Sequence, residues 1–181
     1  NATGGVSVNL TAGTVDGDGS VGHDTITGGV FNVLGSNFND TIIGSGSNDS
    51  LSGSNGNDTL DGRAGNDFLS GGAGADIFVY ATGGGFDFVQ DFVHGQDKID
   101  LTGVYGIFSL ADLQSHAVQS GPNTVITFGS GDGLTLQNVN LSSLTASDFL
   151  FGTPAAPIVG DGNANDLVGT ANAETISGLG G

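Results

Sequence analysis

From Gly35 the chain divides without a gap into nine-residue units: GSNFNDTII, GSGSNDSLS, GSNGNDTLD, GRAGNDFLS and GGAGADIFV, starting at Gly35, Gly44, Gly53, Gly62 and Gly71. A short fixed period constrains a fold strongly, because every unit must take up one conformation and stack on its neighbours. The sixth place is always aspartate (Asp40, Asp49, Asp58, Asp67, Asp76), and the eighth is always apolar (Ile42, Leu51, Leu60, Leu69, Phe78). Six residues rich in Gly, Asn and Asp make a turn, since Gly and Asn accept positive φ. Three residues of the form x-apolar-x make a very short strand whose central side chain points to one side. One such unit cannot bury its apolar residue alone. Stacked units can, if the chain coils so that the strands lie parallel in two sheets. Ile42, Leu60 and Phe78 then line one wall, and Leu51 and Leu69 the other.

That stacking piles up carboxylates in a chain that can scarcely neutralise them. Of 181 residues, 19 are acidic and only two, Arg63 and Lys98, are basic, for a formal net charge of −17. All the acids but Glu174 are Asp, the shorter residue that tolerates turns and bonds to nearby backbone. A ladder of like charges repels and favours the open chain. Turns also expose backbone carbonyls. Carboxylate and carbonyl oxygens, without nitrogen or sulfur, form the set that Ca²⁺ prefers, with six to eight ligands at roughly 2.3–2.6 Å. Mg²⁺ suits it less, because it demands strict octahedral geometry and keeps its water. Turn-forming Asn-Asp and Gly-Asn pairs account for loops, but Asn or Ser would serve at the sixth place without the repulsion.

These units resemble the G-G-x-G-x-D-x-U-x nonapeptide of RTX proteins, where U is a large apolar residue. GGAGADIFV at 71–79 fits best; elsewhere Phe38 replaces the second motif glycine and Arg63 the second residue of the first pair. The resemblance implies an all-β fold: a parallel β-roll, a right-handed β-helix of nonapeptide repeats that binds several Ca²⁺ ions. Each ion would lie between turns two repeats apart, pairing Asp40 with Asp58, Asp49 with Asp67 and Asp58 with Asp76. Backbone carbonyls at places one and three would add Gly35 and Asn37, Gly44 and Gly46, Gly53 and Asn55, Gly62 and Ala64, and Gly71 and Ala73. An earlier unit, GSVGHDTIT at 19–27, supplies Asp24 and Ile26, although seven residues separate it from the array. Asp16 and Asp18, in VDGDGS, read equally as a partial turn or a loop.

Before the array, GVSVNL (5–10) alternates as a strand, and VFNVLG (30–35) is expected to be another rung, so that residues 1–81 form the roll with its edge strands. After Val79 the period breaks. The stretch 83–103, with its core from Asp91 to Leu101, resembles the segment that follows RTX arrays in serralysin-type proteases and mannuronan epimerase modules. By that resemblance Asp87 and Asp97 help bind the last ions; a plainer reading has them start and stop strands. Residues 82–151 are expected to form a small, mostly antiparallel capping segment with one short helix N-capped by Ser109 and a hairpin of 124–128 with 134–139. The cap would cover the last open rung. Residues 152–159 read as a linker, and 160–181 as the start of a further, degenerate block whose sixth places hold Asn165 and Glu174. The chain is thus expected to be an excerpt from a longer protein with neighbouring blocks.

Several functions are excluded or unsupported. Two cations cannot make a basic face for nucleic acid or for an anionic membrane surface. No apolar run spans a bilayer, and with no Cys there is no thiol chemistry. HExxH is absent; His23, His94 and His116 are scattered; GGGFD at 83–87 lacks the lysine of a phosphate loop. The chain is expected not to be an enzyme itself, although its parent could be one. The expected function is a calcium-binding structural module that folds on Ca²⁺ outside the cell. The family resemblance implies passage through a type I exporter of a Gram-negative bacterium. The alternative is an adhesin, surface-layer or carbohydrate-contacting accessory module of a secreted hydrolase, lyase or epimerase, for which Tyr80, Tyr105 and Phe108 are the aromatic candidates.

Overall fold

Each repeat contributes one rung, and rungs two repeats apart pair in register. The computed structural model describes residues 3–17, 23–25, 29, 31–129, 131–154, 158–159 and 176–177. The strands are β1 (Ser7–Asn9), β2 (Thr14–Asp16), β3 (His23–Thr25), β4 (Asn32–Leu34), β5 (Thr41–Ile43), β6 (Ser50–Asn55), β7 (Thr59–Asp61), β8 (Phe68–Ala73) and β9 (Ile77–Ala81). β5, β7 and β9 pair in parallel in one sheet, with Ile42 opposite Leu60 and Leu60 opposite Phe78. β4, β6 and β8 pair in parallel in the other, with Val33 opposite Leu51 and Leu51 opposite Leu69. Consecutive strands thus alternate between the sheets, and the eighth-place side chains meet between them. Ile42, Leu51, Leu60, Leu69 and Phe78 are at most 1% exposed. These are the two walls that the repeat predicts. β6 and β8 run beyond three residues, because Ser54 pairs with Gly72 and Asn55 with Ala73.

The ends differ from a simple coil. β1 joins β5 in parallel as a rung, as its alternation predicts. β2 and β3 then add on antiparallel, so β3 forms the outer edge of this sheet with Asp24 opposite Val15. For the described residues 23–25 this departs from the expectation that 19–27 is an earlier copy of the repeat, since they lie antiparallel at the sheet's edge and not as a parallel rung. The sequence holds the physical reason: Asp24 falls out of the eighteen-residue register, since the residue eighteen places on is Ile42 and not Asp40. The side chain of Asp24, together with Ile26 and Asp18, lies outside the described residues.

Beyond the array the coil continues through β10 (Phe86–Val89) and β11 (Lys98–Gly103), which pair in parallel with β8 and β9. Helix α1 (Leu110–His116) follows, and Ser109 accepts a hydrogen bond from the Asp112 N–H as its N-cap. Next come β12 (Ala117–Ser120), β13 (Asn123–Gly129), β14 (Asp132–Leu136) and β15 (Phe149–Phe151). β13 pairs antiparallel with both β12 and β14, which includes the expected hairpin. β14 and β15 return to the parallel pattern, on β10 and β11 respectively. The cap therefore extends both sheets and buries Ile99, Leu101, Ile126, Leu134 and Leu136 in the same core. Finally, β16 (Ile158–Val159) pairs in parallel with β17 (Ile176–Ser177), Ile158 opposite Ile176. The sixth-place residues Asn165 and Glu174 of that segment lie outside the described residues.

Candidate metal centre

The sixth-place aspartates form a continuous ladder. The N–H of Asp40 donates to Asp58 Oδ1 (2.7 Å), that of Asp49 to Asp67 Oδ1 (2.7 Å) and that of Asp58 to Asp76 Oδ1 (2.9 Å). Upstream, the Val6 N–H donates to Asp40 Oδ1 (2.7 Å). Downstream, the N–H of Asp67 donates to Asp87 Oδ1 (2.9 Å) and that of Asp76 to Asp97 Oδ1 (3.0 Å). A second ladder runs the other way through the fifth place. Asn39, Asn48, Asn57 and Asn66 each accept, through Oδ1, from the N–H of Asn57, Asn66, Ala75 and Phe86 in turn. One oxygen of each carboxylate is thereby fixed, and the position of the other follows.

That second oxygen is where the geometry calls for a cation. Asp58, Asp67 and Asp76 are at most 1% exposed, and their Oδ2 atoms are buried without a hydrogen-bond partner. Burying an unpaired ionised oxygen is costly, so a counter-charge is implied. The first-place glycines make the space. A Cβ on Gly53, Gly62 or Gly71 would collide with Oδ2 of its own repeat's aspartate. At Gly53 the same point lies 2.7 Å from the Gly71 carbonyl oxygen, so carboxylate and carbonyl oxygens from turns two repeats apart crowd together. Among the described residues, no three His, Cys, Asp or Glu side chains converge on one point. The donors are thus a lone carboxylate and main-chain carbonyls, all hard oxygens, which fits Ca²⁺ and not a transition metal.

The profile of the RTX calcium-binding nonapeptide repeat matches residues 34–69 and 52–89. Residues 34–89 are RTX calcium-binding repeats. No curated protein sequence matches the chain. Among solved structures, the extracellular lipase LipA from Serratia marcescens is 22% identical with a TM-score of 0.47, over 77% of this chain and 23% of the lipase. The AlgE6R3 subunit of the Azotobacter vinelandii mannuronan C5-epimerase is 23% identical (TM-score 0.29, 80% of this chain, 95% of the subunit). Its AlgE6R2 subunit is 24% identical (TM-score 0.34, 67% and 92%). The chain thus spans under a quarter of the lipase and nearly all of each epimerase subunit.

The electrostatics of the RTX ladder follow from burial. Burial raises Asp58 and Asp67 from 3.8 to about 6; the N–H of the aspartate two repeats earlier opposes the rise, and neighbouring carboxylates add to it. Burial likewise raises Asp76 and Asp97. Asp87 is pushed furthest, to about 8, by burial and then by the charges of Asp67, Asp61 and Asp132 against the Asp67 hydrogen bond. Neither basic side chain relieves the ladder. Arg63 Nε pairs with Asp61 Oδ2 at 3.1 Å, and Lys98 Nζ donates to the Ser147 carbonyl at 2.8 Å.

The other candidate positions divide by place. The first-place residues Gly44, Gly53, Gly62 and Gly71 are buried, and Gly35 is half-buried against Asp40 Oδ2 and the Gly53 carbonyl. The third-place residues Asn37, Gly46, Asn55, Ala64 and Ala73 stand exposed at the turn tips, where the Ala73 carbonyl accepts from the Gly56 N–H at 2.9 Å. Three further aspartates do work that sequence reasoning missed. Asp91 accepts from the N–H groups of Gly71 (3.0 Å) and Gly72 (2.9 Å) and from the Ser70 hydroxyl (2.6 Å). Asp132 accepts from the N–H groups of Gly83 (2.7 Å) and Gly85 (3.3 Å). Asp148, fully buried, pairs with His94 Nδ1 at 2.9 Å and accepts from the N–H groups of Gly95 and Thr145. Burial pushes its carboxyl upward, but these bonds outweigh burial and hold it below the ordinary value. For Asp132 a signal existed, since Asp-Gly-Leu at 132–134 repeats the Asp-x-apolar triplet. The aromatic candidates do not form one patch: Tyr80 is buried against Phe128, while Tyr105 meets Phe108 edge-on.

Proposed function

We propose that the chain is a calcium-stabilised structural module of a larger extracellular protein, and that it folds as Ca²⁺ fills the turns of its RTX array. The observation that carries this reading is the set of buried, unpartnered Oδ2 atoms of Asp58, Asp67 and Asp76, set against first-place glycines. Asp58, Asp67 and Asp76 would hold the ions through Oδ2, with carbonyls such as that of Gly71 beside them. Asp87 and Asp97 continue the ladder, but both oxygens of Asp97 are already met, Oδ1 by the Asp76 N–H and Oδ2 by the Val93 N–H at 2.8 Å, so Asp97 needs no ion of its own. The ion supplies the positive charge that the chain lacks. Its own residues do the rest: the N–H ladder fixes Oδ1, the missing Cβ atoms admit Oδ2, and the eighth-place side chains seal the core.

Without the ion, the net charge of −17 and 35 glycines favour an expanded chain. Extracellular calcium modules have Kd values of about 10⁻⁴–10⁻³ M, so such a chain stays open inside a cell and closes outside. That timing suits export by a type I system, followed by residence outside the cell or on its surface. On this reading residues 1–81 are the roll, 82–151 its cap, 152–159 a linker, and 160–181 the start of another block. The pairing of β17 with β16, the last two residues of the linker, at the array's own eighteen-residue interval supports a further block that begins there. Titration of the chelator-treated chain with CaCl₂, followed by circular dichroism, is expected to turn a coil spectrum into a β spectrum, with MgCl₂ far less effective. An unchanged spectrum would refute the reading.

A further inference from the structure

The five turns of the array take two conformations. In the turns at 53–58, 62–67 and 71–76, the second place is left-handed, with φ of 85° at Ser54, 70° at Arg63 and 94° at Gly72. The fourth place there is glycine at still larger φ: 129° at Gly56, 136° at Gly65 and 143° at Gly74. A side chain is barely tolerated at such a φ. It would also strike the backbone of the turn two repeats earlier; a Cβ on Gly56 would lie 2.5 Å from the Phe38 carbonyl carbon. The first two turns carry Phe38 and Ser47 at the fourth place, and neither their second-place nor their fourth-place residues have positive φ. Ser54 shows which place decides. It is serine like Ser36 and Ser45, yet with Gly56 two residues on it takes the left-handed form.

The carboxylate responds to this choice. In the first turn the Ser36 N–H donates to Asp40 Oδ2 (2.5 Å) and its hydroxyl to Oδ1 (2.8 Å). In the second, the Ser45 N–H donates to Asp49 Oδ2 (2.6 Å) and its hydroxyl to the same atom (2.9 Å). In the left-handed turns the second-place N–H points elsewhere: Arg63 donates to Asp61 Oδ1 (3.0 Å) and Gly72 to Asp91 Oδ2 (2.9 Å). Among the described residues, only there is Oδ2 buried and unpartnered. An N–H and an O–H aimed at a carboxylate bring the positive ends of two dipoles to it, and these satisfy the charge that a cation otherwise would.

We propose that Ser36 and Ser45 stand in for the metal in the first two turns, so that Asp40 and Asp49 are satisfied by the chain itself and the array's ions are confined to the turns of Asp58, Asp67 and Asp76. This rests on the calcium reading above. It makes 35–52 an ion-independent start on which the ion-dependent turns stack.

The test is a count of bound calcium on the full chain, by equilibrium dialysis against CaCl₂, with folding monitored by circular dichroism. Asp58→Asn, Asp67→Asn and Asp76→Asn are each expected to lower the count, whereas Asp40→Asn and Asp49→Asn leave it unchanged. A fall for Asp40→Asn or Asp49→Asn equal to that for Asp58→Asn overturns the assignment. Should those two variants fail to fold, the pairs Ser36→Gly with Phe38→Gly and Ser45→Gly with Ser47→Gly decide. Each is expected to raise the count by converting a capped turn into an open one, and an unchanged count overturns the assignment. A wild-type chain that binds no calcium defeats the calcium reading itself, whereas equal losses in all five Asn variants defeat only the role given to the serines.

Discussion

The array and the cap build the same two sheets by different means. In the array a nine-residue period brings Asp58, Asp67 and Asp76 to the ladder with buried oxygens left over. In the cap the period is gone, yet Asp87-Phe88-Val89 and Asp97-Lys98-Ile99 enter the sheets where Asp67-Phe68-Leu69 and Asp76-Ile77-Phe78 predict the next rungs. The ladder continues through them, its separation lengthening from 18 residues to 20 and then 21. What the coil requires is therefore the Asp-x-apolar triplet; the connection between triplets can grow. Longer connections also bring their own acids. Asp91, Asp132 and Asp148 are met by N–H and hydroxyl donors. On the proposed calcium reading the array leans on an ion, whereas these three acids of the cap are met by the chain's own hydrogen bonds.

The sharpest way to break that contrast is to take the ion away. Each site adds RT ln(1 + [Ca²⁺]/Kd), about 2.7 kcal/mol at a hundredfold excess over Kd, which corresponds to about a hundredfold in amide protection. Hydrogen exchange in chelator is expected to show losses of at least that size at the amides of Asp58, Asp67 and Asp76, with smaller losses at Ile126 and Leu134 in the cap. Equal losses in both regions would dissolve the distinction. Next in size, Leu60→Ala removes a fully buried side chain from the array wall and is expected to cost about 2–5 kcal/mol. Urea unfolding in saturating calcium measures it. The calcium midpoint should rise with it, because the same wall must form before the turns can bind.

The walls were legible because a fixed period leaves Ile42, Leu51, Leu60, Leu69 and Phe78 no alternative, and Ser109 was legible because a helix cap is local. The cap's continuation of both sheets was not. β14 meets β10 across 47 residues of chain, and Asp132 meets Gly83 across 49, pairings that no local pattern encodes. The antiparallel turn-back of β2 and β3 was hidden for a different reason. GSVGHDTIT looks like a repeat, and only its register against Asp40 shows that it cannot stack as one. The serine caps were masked by composition, since Ser36, Ser45 and Ser54 read alike until the backbone at the fourth place separates them.

Acidity sharpens the same comparison. Asp58 and Asp67 (about 6) and Asp87 (about 8) bind protons more tightly in the fold than at their ordinary value of 3.8. In chelator, the stability they contribute is complete below that value and is lost as pH rises through 6 and then 8. Acidifying the ion-free chain from pH 8.5 to about 4 is thus expected to raise its β content. With calcium present the trend reverses, because protons compete with the ion for the same oxygens. An ion-free chain whose fold weakens on acidification would show that the ladder's charges are not what opens it.

The smallest effect should separate the regions most cleanly. Ser109 holds the first turn of α1 through its bond from the Asp112 N–H, and no ladder residue takes part. Ser109→Ala is expected to cost about 1 kcal/mol, as removal of an N-cap usually does. That loss belongs to the cap alone, so urea midpoints measured at low and at saturating calcium should shift by the same amount, and the calcium count should stay at the wild-type value. A loss that grows as calcium is withdrawn would mean that the helix, through β10 and β11, helps hold the turns in register, and the line drawn between array and cap would have to move.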